Sequence, residues 1–310
     1  MFAQCQRFND VNTHAGAIVG WQQTYDQMSA GSAHTELVHL TAERFQIFRE
    51  YLDKRVVQHG VAPPGRLCLA MPVGGDRAGV FQGSSVGGTD VTLLHSGQEF
   101  FVHAAEGMDL LAISVDALRL EQLTEREFTA SALRKLNRST RLDVSPQFLF
   151  AIRQQLQSIV STAVDGGQLL ESQLENLVLE CTLVLLEQVC EPCSGRSGNV
   201  AVSAYLVRKA HQIAMECLDE PLSILQICDR LDVSRSTLQR SFLSVTGLRP
   251  VEYLRLVRLN AVRQRLQQTR ADQFTIARVA YDLGFSHLGH FSGAYRSLFD
   301  ESPSHTPRLP

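Results

Sequence analysis

The chain has 310 residues, of which 44% are hydrophobic and 20% are charged, and its formal net charge is -3. This composition excludes a disordered chain, a collagen and a small disulfide scaffold. At roughly 100–200 residues per domain, the length predicts two domains. No apolar run reaches the ~18 residues that a membrane span needs. The N-terminus, Met1 to Asp10, lacks the basic stretch and apolar core of a signal peptide, so we expect a cytoplasmic protein that does not enter a membrane.

The charge is unevenly distributed along the chain. Residues 1–200 hold 15 Lys and Arg against 22 Asp and Glu, whereas residues 201–310 hold 14 against 10. A basic end on an acidic chain favours nucleic acid as a partner of the basic end. The seven cysteines are scattered and odd in number, which is typical of reduced thiols rather than of a disulfide framework.

Residues 1–116 have the pattern of a β-rich domain. Short apolar runs alternate with Gly, Pro and Asp about every ten residues, which is typical of a sandwich or barrel. The clearest runs are Leu67–Met71, Val91–Leu94, Phe100–His103 and Leu110–Val115. Residues 38–49 fit either a strand or a helix.

Residues 117–190 favour helices. Asp116 is the expected N-cap of a first helix, Ser145-Pro146 the start of a second, and Asp165-Gly166-Gly167 a break. A third helix is predicted from there to about Cys190. It carries an a/d stripe that predicts either a dimer seam or packing on its own domain. The stripe consists of Leu170, Leu174, Leu177, Cys181 and Val184.

Residues 191–200 contain Pro, Gly and Ser without apolar periodicity, and we interpret them as a linker. A single Cys190-x-x-Cys193 pair lies at its edge. One such pair without a second pair or histidine ligands is a weak metal or redox signal, and we interpret it as incidental.

An internal repeat follows the linker. Residues 222–234 match residues 274–286 at an offset of 52, with apolar residues at equivalent positions and matching N-caps at Ser223 and Thr275. Each unit is predicted to be a helix, a tight turn and a second helix, which is the layout of a helix-turn-helix. The predicted helices are 224–231 and 235–245 in the first unit. In the second, 276–283 is followed by a helix capped by Ser286.

A long helix is predicted between the two units, from Pro250 to Gln268. It has an apolar side and a basic side, the latter with Arg255, Arg258, Arg263 and Arg265. A helix of about 18 residues spans roughly 27 Å, close to the ~34 Å between successive major grooves on one face of DNA. One chain would then present two recognition helices to adjacent grooves.

Residues 201–305 resemble the DNA-binding domain of AraC/XylS-type transcription regulators. The resemblance is carried by Leu238-Gln239-Arg240, Gly247-x-x-Pro250, Gly284-Phe285-Ser286, Phe291, Tyr295 and Ser302-Pro303, among other residues in register. Two positions depart from the family pattern, Asp300 in place of Gly and Gly293 in place of Arg. The first 116 residues more loosely resemble the N-terminal domains of ethanolamine-operon and ornithine-utilisation regulators, through Trp21, Tyr25 and Phe48-Arg49-Glu50.

The resemblance implies roles for polar residues on the second helix of each unit. Ser236, Gln239 and Arg240 are expected to contact bases, since Arg pairs with guanine and Gln with adenine, and Arg235 to contact phosphate. In the second unit the available groups are His287, His290, Ser292 and Arg296. For the two histidines, a plain surface role is as well supported as contact. Because Gly293 removes a side chain, we expect this unit to recognise DNA more weakly.

Effector and metal sites are harder to predict. One interpretation is a small-molecule pocket lined by Trp21, Tyr25, Arg49 and Glu50, in which the Arg binds a carboxylate and the Glu binds an amine. The other interpretation is that Trp21 and Tyr25 belong to the core and that Arg49 and Glu50 lie on the surface. The spacing of His34, His39, His95 and His103 does not fit a catalytic cupin, so we predict neither a metal nor a cofactor.

The resulting prediction is an α+β protein with four parts. These are a cupin-like sensory domain (1–116), a helical region with the candidate dimer interface (117–190), a linker (191–200) and an AraC-type DNA-binding domain (201–305), followed by a tail (306–310). We expect a transcription regulator, by resemblance an activator, that responds to a small-molecule effector. Its expected partners are promoter DNA, RNA polymerase and a second copy of the chain. The alternatives are a ligand-independent regulator and a cupin-type metalloenzyme. The metal-ligand spacing of a catalytic cupin is missing, which argues against the metalloenzyme, and we predict no enzymatic activity.

Overall fold

The structure is a computed structural model that describes residues 1–74, 79–166, 170–187, 198–220, 222–285 and 288–309. It confirms a mixed fold, with a β-rich N-terminal region (residues 1–187) and an all-helical C-terminal region (residues 198–309). Among the described residues, no helix combines the length and the apolar character needed to cross a bilayer.

The N-terminal region contains twelve described strands and five described helices. The strands are β1 Phe2–Phe8, β2 Gln22–Gln27, β3 Thr35–Thr41, β4 Phe45–Leu52, β5 Val56–Val61, β6 Arg66–Pro72, β7 Gly79–Phe81, β8 Ser84–Val86, β9 Asp90–Leu94, β10 Glu99–Ala104, β11 Met108–Asp116 and β12 Arg141–Asp143. The helices are α1 Val11–Ala17, α2 Ala117–Glu127, α3 Ala130–Leu136, α4 Pro146–Val164 and α5 Glu171–Glu187.

The strands form two antiparallel sheets. One has seven strands in the order β1-β3-β4-β11-β6-β9-β12, and the other has five in the order β2-β5-β10-β7-β8. The four strands predicted from apolar runs are confirmed, each within two residues at either end. Residues 38–49 prove to be most of a hairpin, in which β3 pairs with β4. Strand β4 is buried on both sides over much of its length, so its sequence does not alternate cleanly between apolar and polar residues.

The helices after residue 116 pack on the seven-stranded sheet. Asp116 caps α2 as predicted, since its Oδ1 accepts from the amide of Arg119 at 2.8 Å. Pro146 starts α4, and α4 and α5 share one apolar core with strands of that sheet. Strand β12 pairs with β9 at the edge of the sheet. Residues 117–187 are therefore part of the β-rich region rather than a separate helical layer.

The predicted stripe on α5 lies in this core. Leu174 and Cys181 are 2% and 5% exposed, and Leu177 and Val184 pack against the same core. Leu170 precedes the helix and is 64% exposed. The dimer-seam interpretation is therefore corrected, because the chain's own sheet already covers most of the stripe. A homodimer would need another surface.

The C-terminal region consists of six helices. They are α6 Gly198–Glu216, α7 Ile224–Leu231, α8 Arg235–Thr246, α9 Pro250–Gln267, α10 Ile276–Asp282 and α11 Leu288–Phe299. The last residues of the predicted linker, 198–200, belong to α6. Residues 191–197 lie outside the described residues, as do Gly167, Cys190 and Cys193.

Candidate functional site

The first helix-turn-helix unit is formed by α7 and α8 and is capped at each end. Ser223 and Gln226 form a capping box at the start of α7, which satisfies amides that the first turn leaves unpaired. The turn between the helices passes through Asp232, at φ 51°, and Ser234 caps α8 by accepting from the amide of Thr237. Gly247 ends α8 in the left-handed conformation that glycine adopts most easily.

Helix α8 has one buried face and one exposed face. Leu238 and Phe242 are fully buried against α6, α7 and α9, which fixes the rotation of the helix about its axis. The opposite side exposes one polar set, which we call the α8 recognition face. It consists of Arg235, Ser236, Gln239 and Arg240, all exposed to solvent. The structure thus brings together the four residues predicted for the first unit.

Two further arginines lie beside this face and were not among the predicted contacts. Arg249, at the N-cap of α9, and Arg255, six residues further along the chain, line one groove with Arg235 and Gln239. Both arginines are exposed. Their position in the first two turns of α9, the helix that follows α8 in the chain, was the sequence signal that could have identified them. Three guanidinium groups and the single carboxylate of Glu252 border the groove, and the excess of positive charge suits a DNA phosphate.

The second unit is formed by α10 and α11. Thr275 caps α10, and Gly284 takes φ 80° in the turn, as predicted. Phe291 and Tyr295 bury the inner side of α11. The outer side exposes His290, Ser292 and Arg296, whereas His287 and the predicted cap Ser286 lie outside the described residues.

Two departures from the family pattern occur in this unit. Gly293 is exposed, and a side chain added there would meet no atom within 4 Å. The surface of α11 is therefore open at that position. Asp300 follows the helix at φ 57°, a left-handed conformation that Asp tolerates better than most residues.

Helix α9 connects the units and is buried on most sides. Val257 and Leu259 are fully covered and pack in the cores of the first and second unit. Its predicted basic side is partly corrected. Arg255 and Arg265 are exposed, but Arg263 is 7% exposed and lies against the N-terminal region.

A polar contact joins α9 and α11 to the N-terminal region. Arg263 is ion-paired with Asp10 and, at 3.1 Å, with Glu301. Asn260 exchanges two hydrogen bonds with the backbone of Gln27, at 2.9 and 3.0 Å. Asp10 and Gln27 lie more than 230 residues from their partners on α9, so no local pattern could have indicated these contacts.

An apolar contact joins the first unit to the same region. Met28, Val57 and Phe101 belong to one buried cluster with residues of α6, α8 and α9. Both contacts use β2, and the apolar contact also uses β5 and β10. The five-stranded sheet is therefore the surface on which the helical region rests.

The inner face of that sheet borders a cavity of about 70 Å³. Most of its lining is apolar or aromatic, and its polar groups are few. The lining includes Trp21, Gln23, Tyr25, Phe48, Glu50, Gln58, Leu69, Phe81, Phe100, Val102 and Leu110. An apolar lining with a few polar groups is typical of small-molecule sites, and the volume restricts the occupant to a small molecule.

A buried carboxylate lies at the wall of this cavity. Glu50, 2% exposed, accepts hydrogen bonds from the Tyr25 hydroxyl at 2.9 Å and from the Gln58 amide at 3.0 Å. His14 Nε2 lies 3.4 Å from the same carboxylate. Burial, and then the charge of Glu50, raise the pKa of Tyr25 well above its usual value, which keeps that hydroxyl protonated and able to donate.

The four residues predicted for an effector site separate in the structure. Trp21, Tyr25 and Glu50 line the cavity, with the Trp21 ring edge-on to Phe48. Arg49 does not, because successive residues of a strand point to opposite faces. Its guanidinium donates to Asp109 at 2.8 Å on the other side of β4, so its expected role as a carboxylate clamp is corrected.

The histidines considered for a cupin site do not come together. His34 lies 3.6 Å from Asp53, His39 packs edge-on to Phe2, and His95 contacts the backbone of Ser139. His103 is partly buried at the contact between the two regions, and burial lowers its pKa to about 3.

Known proteins are similar to this chain in the part that contains the two helix-turn-helix units. Residues 227–308 match the model of a helix-turn-helix domain. XylDLEGF operon transcriptional activator 2 of Pseudomonas putida is 36% identical over 98 residues, or 32% of this chain and 62% of that protein. The HTH-type transcriptional regulator ArgR of Pseudomonas aeruginosa is 32% identical over 141 residues, or 44% of this chain and 40% of that protein. The chain thus spans less than two thirds of the length of these relatives.

A solved structure is similar to the same extent. A transcriptional regulator with an AraC-type DNA-binding domain from Chromobacterium violaceum is 35% identical, with a TM-score of 0.32, and covers 34% of this chain and 92% of its own. These matches do not confirm the resemblance of the first 116 residues to ethanolamine-operon and ornithine-utilisation regulators, which stays a prediction. The paired units of α7–α8 and α10–α11 and the matches to them show that the C-terminal region belongs to the AraC/XylS family of helix-turn-helix domains.

Proposed function

We propose that this protein is a sequence-specific DNA-binding transcription regulator that responds to a small molecule held in the N-terminal cavity. The observation that carries the proposal is the α8 recognition face. Its four polar side chains are exposed, while Leu238 and Phe242 pack the opposite face of the helix into the core. In this arrangement Gln239 and Arg240 meet base edges, and Arg235, Arg249 and Arg255 meet phosphates.

The five-stranded sheet supports a route from cavity to DNA. On β5, Gln58 faces the cavity while Val57 and His59 face the helices; on β10, Phe100 faces the cavity and Phe101 the helices. One sheet is thus the wall of both sites. A ligand that fits the cavity better in one arrangement of the sheet would favour one placement of the helices.

The lining favours a small apolar or aromatic effector that carries a hydrogen-bond donor, such as an amine. Glu50 supplies the negative charge, and Arg49 is not available to bind a carboxylate. A carboxylate effector would meet the charge of Glu50 without a cation beside it in the lining.

Activation of transcription is the regulatory role we propose, since the curated relatives named above include a transcriptional activator. Contact with RNA polymerase and the formation of a homodimer are part of the same proposal. The role requires the protein to share a compartment with chromosomal DNA, which agrees with the cytoplasmic location expected from the sequence. The relatives are regulators, which disfavours an enzyme.

DNA binding is tested by fluorescence anisotropy with labelled duplexes at one stated salt concentration, because phosphate contacts make affinity depend on salt. Gln239→Ala should weaken binding to a preferred duplex and leave binding to random DNA unchanged. Gln268→Ala removes an exposed glutamine outside the recognition face and is the matched control. Equal loss on both DNAs would contradict base recognition.

Effector binding is tested by thermal unfolding in the presence of small aromatic amines and matched carboxylates. A ligand that binds only the folded protein raises its melting temperature. We expect amines to do so, and Glu50→Gln to abolish the shift while Glu36→Gln, at an exposed ion pair with Arg7, keeps it. No shift with any compound would favour the ligand-independent regulator.

A further inference from the structure

A cluster of ionisable side chains lies buried between the five-stranded sheet and the helical region. It consists of Asp26 on β2, His59 on β5, His103 on β10 and His211 on α6, and we call it the interdomain cluster. Asp26 and His211 are 2% and 3% exposed. The cluster does not belong to the cavity, since none of its members lines it.

Four polar atoms of this cluster lack a hydrogen-bond partner among the described residues. Asp26 Oδ2 and the Nε2 atoms of His59, His103 and His211 are buried and make no hydrogen bond within the described part of the chain. A buried polar atom without a partner costs free energy, and a buried carboxylate costs more. Four such atoms at one place therefore indicate a site that takes a ligand.

The distances suit a cation. One ligand atom from each of Asp26, His59 and His211 lies within 4.8 Å of the others, and His59 Nε2 lies 3.8 Å from Asp26 Oδ2. Two donors on one tetrahedral zinc ion lie about 3.4 Å apart, because each is about 2.1 Å from the metal. Shifts of up to about 0.7 Å in each side chain would close the set around an ion.

The ring of His211 is already oriented for ligation. Its Nδ1 lies 3.0 Å from the hydroxyl of Tyr253, a fully buried residue of α9, which leaves Nε2 as the atom for a ligand. Histidines that bind metals in proteins usually hydrogen-bond through the other nitrogen, which fixes the tautomer and the ring orientation.

We propose that Asp26, His59 and His211 bind a divalent transition-metal ion of the zinc type between the two regions of the chain. Two imidazoles and one carboxylate suit zinc, nickel or cobalt, whereas magnesium and calcium prefer oxygen ligands throughout. His103 lies outside the set of donor atoms that come within 4.8 Å of one another. This proposal replaces the expectation of no metal, which was based on the spacing of other histidines.

The ion would join β2 and β5 to α6, and so hold the helical region against the sheet. Sequence analysis missed the site because its three ligands come from strands and a helix up to 185 positions apart. The site does not depend on the proposed effector or on DNA recognition. Its test therefore fails or succeeds separately from theirs.

The experiment titrates Co²⁺ into the full-length chain after treatment with a chelator, and follows the visible absorption of the bound ion. We expect saturation at one ion per chain and displacement by Zn²⁺. Asp26→Asn and His59→Gln should each weaken binding at least tenfold. The matched control is His39→Gln, which replaces a buried histidine on β3 outside the cluster and should bind as the unmodified chain does.

Circular dichroism establishes that each variant is folded. His59 is the safer substitution because its side chain is 22% exposed, so it decides the test if Asp26→Asn does not fold. Absence of saturable binding to the unmodified chain would overturn the proposal. Equal affinity in folded His59→Gln would overturn it too, since the ion would then lie elsewhere.

Discussion

The two helix-turn-helix units bury similar faces and expose different ones. Phe242 in the first unit and Tyr295 in the second are equivalent in the repeat, and both are fully buried. On the outside, α8 presents Arg240 where α11 has the open surface at Gly293. The duplication thus preserved the core of the unit, whereas the surface that meets DNA diverged.

The units also differ in how they attach to the N-terminal region. The first shares an apolar cluster with Met28 and Phe101. The second is held by polar groups, since Gln27 and Gly31 donate to the carbonyl of Leu298 at 2.7 and 3.1 Å, and Arg263 bridges Asp10 and Glu301. Polar contacts depend on each partner, so single substitutions should affect the second attachment strongly.

The largest effect is expected for Arg263→Ala. Removing one partner of a buried ion pair leaves the other charge without compensation and costs about 3–5 kcal/mol of unfolding free energy. Urea unfolding followed by circular dichroism measures the loss. Arg278→Ala, which breaks a pair at the surface of the same unit, should change stability by less than about 1 kcal/mol. Similar losses in both variants would contradict the polar attachment.

The next largest effect is expected from removing exposed arginines on the outer faces of α8 and α11. Arg240→Ala should cost about 1–3 kcal/mol on a preferred duplex and relax the preference at one base pair. Arg296→Ala, on the second unit, should cost less than half of that, because α11 offers fewer groups around it. Anisotropy titrations of both variants against one duplex make the comparison. An equal or larger loss for Arg296→Ala would reverse the ranking of the units.

A gain of function sharpens the same difference. Gly293→Arg places a guanidinium where the surface is open, and we expect tighter binding to DNA by about 1 kcal/mol. Gly293→Ala is the control, since it adds the helix propensity of a side chain, up to about 1 kcal/mol of stability, without the charge. If Gly293→Ala tightens DNA binding as much as Gly293→Arg does, the effect comes from helix stability and not from contact.

The smallest effect concerns the starts of the two units. Ser223→Ala removes a capping box and should cost about 1 kcal/mol of stability. Thr275→Ala removes a single capping bond and should cost about half as much. Thermal unfolding of the two variants checks the order. A larger loss for Thr275→Ala would show that the capping box adds nothing in this context.

Local pattern predicted the helical region well and the contacts poorly. The first unit's helices start at Ile224 and Arg235 as predicted, because caps and apolar spacing are properties of neighbouring residues. The faces of α8 followed from the same spacing. The burial of Arg263 did not, because its partner Asp10 comes from the other end of the chain.

In the N-terminal region, strands with clear apolar runs were predicted and the hairpin of β3 and β4 was not resolved. Of the cavity residues, Glu50 was found and its neighbour Arg49 was wrongly included. The register of β4 decides which of the two faces inward, and the register depends on pairing with β3 and β11. The interdomain cluster needed the tertiary structure altogether.

Selection of bound duplexes from a random pool, at stated salt, tests the central claim most directly. The account predicts a preferred site with two short half-elements about one helical turn apart. The half-element that α8 contacts should be the better defined of the two, and Arg240→Ala should blur it. The account would be contradicted if folded protein, supplied with a small molecule that raises its melting temperature, recovered sequences no different from the starting pool.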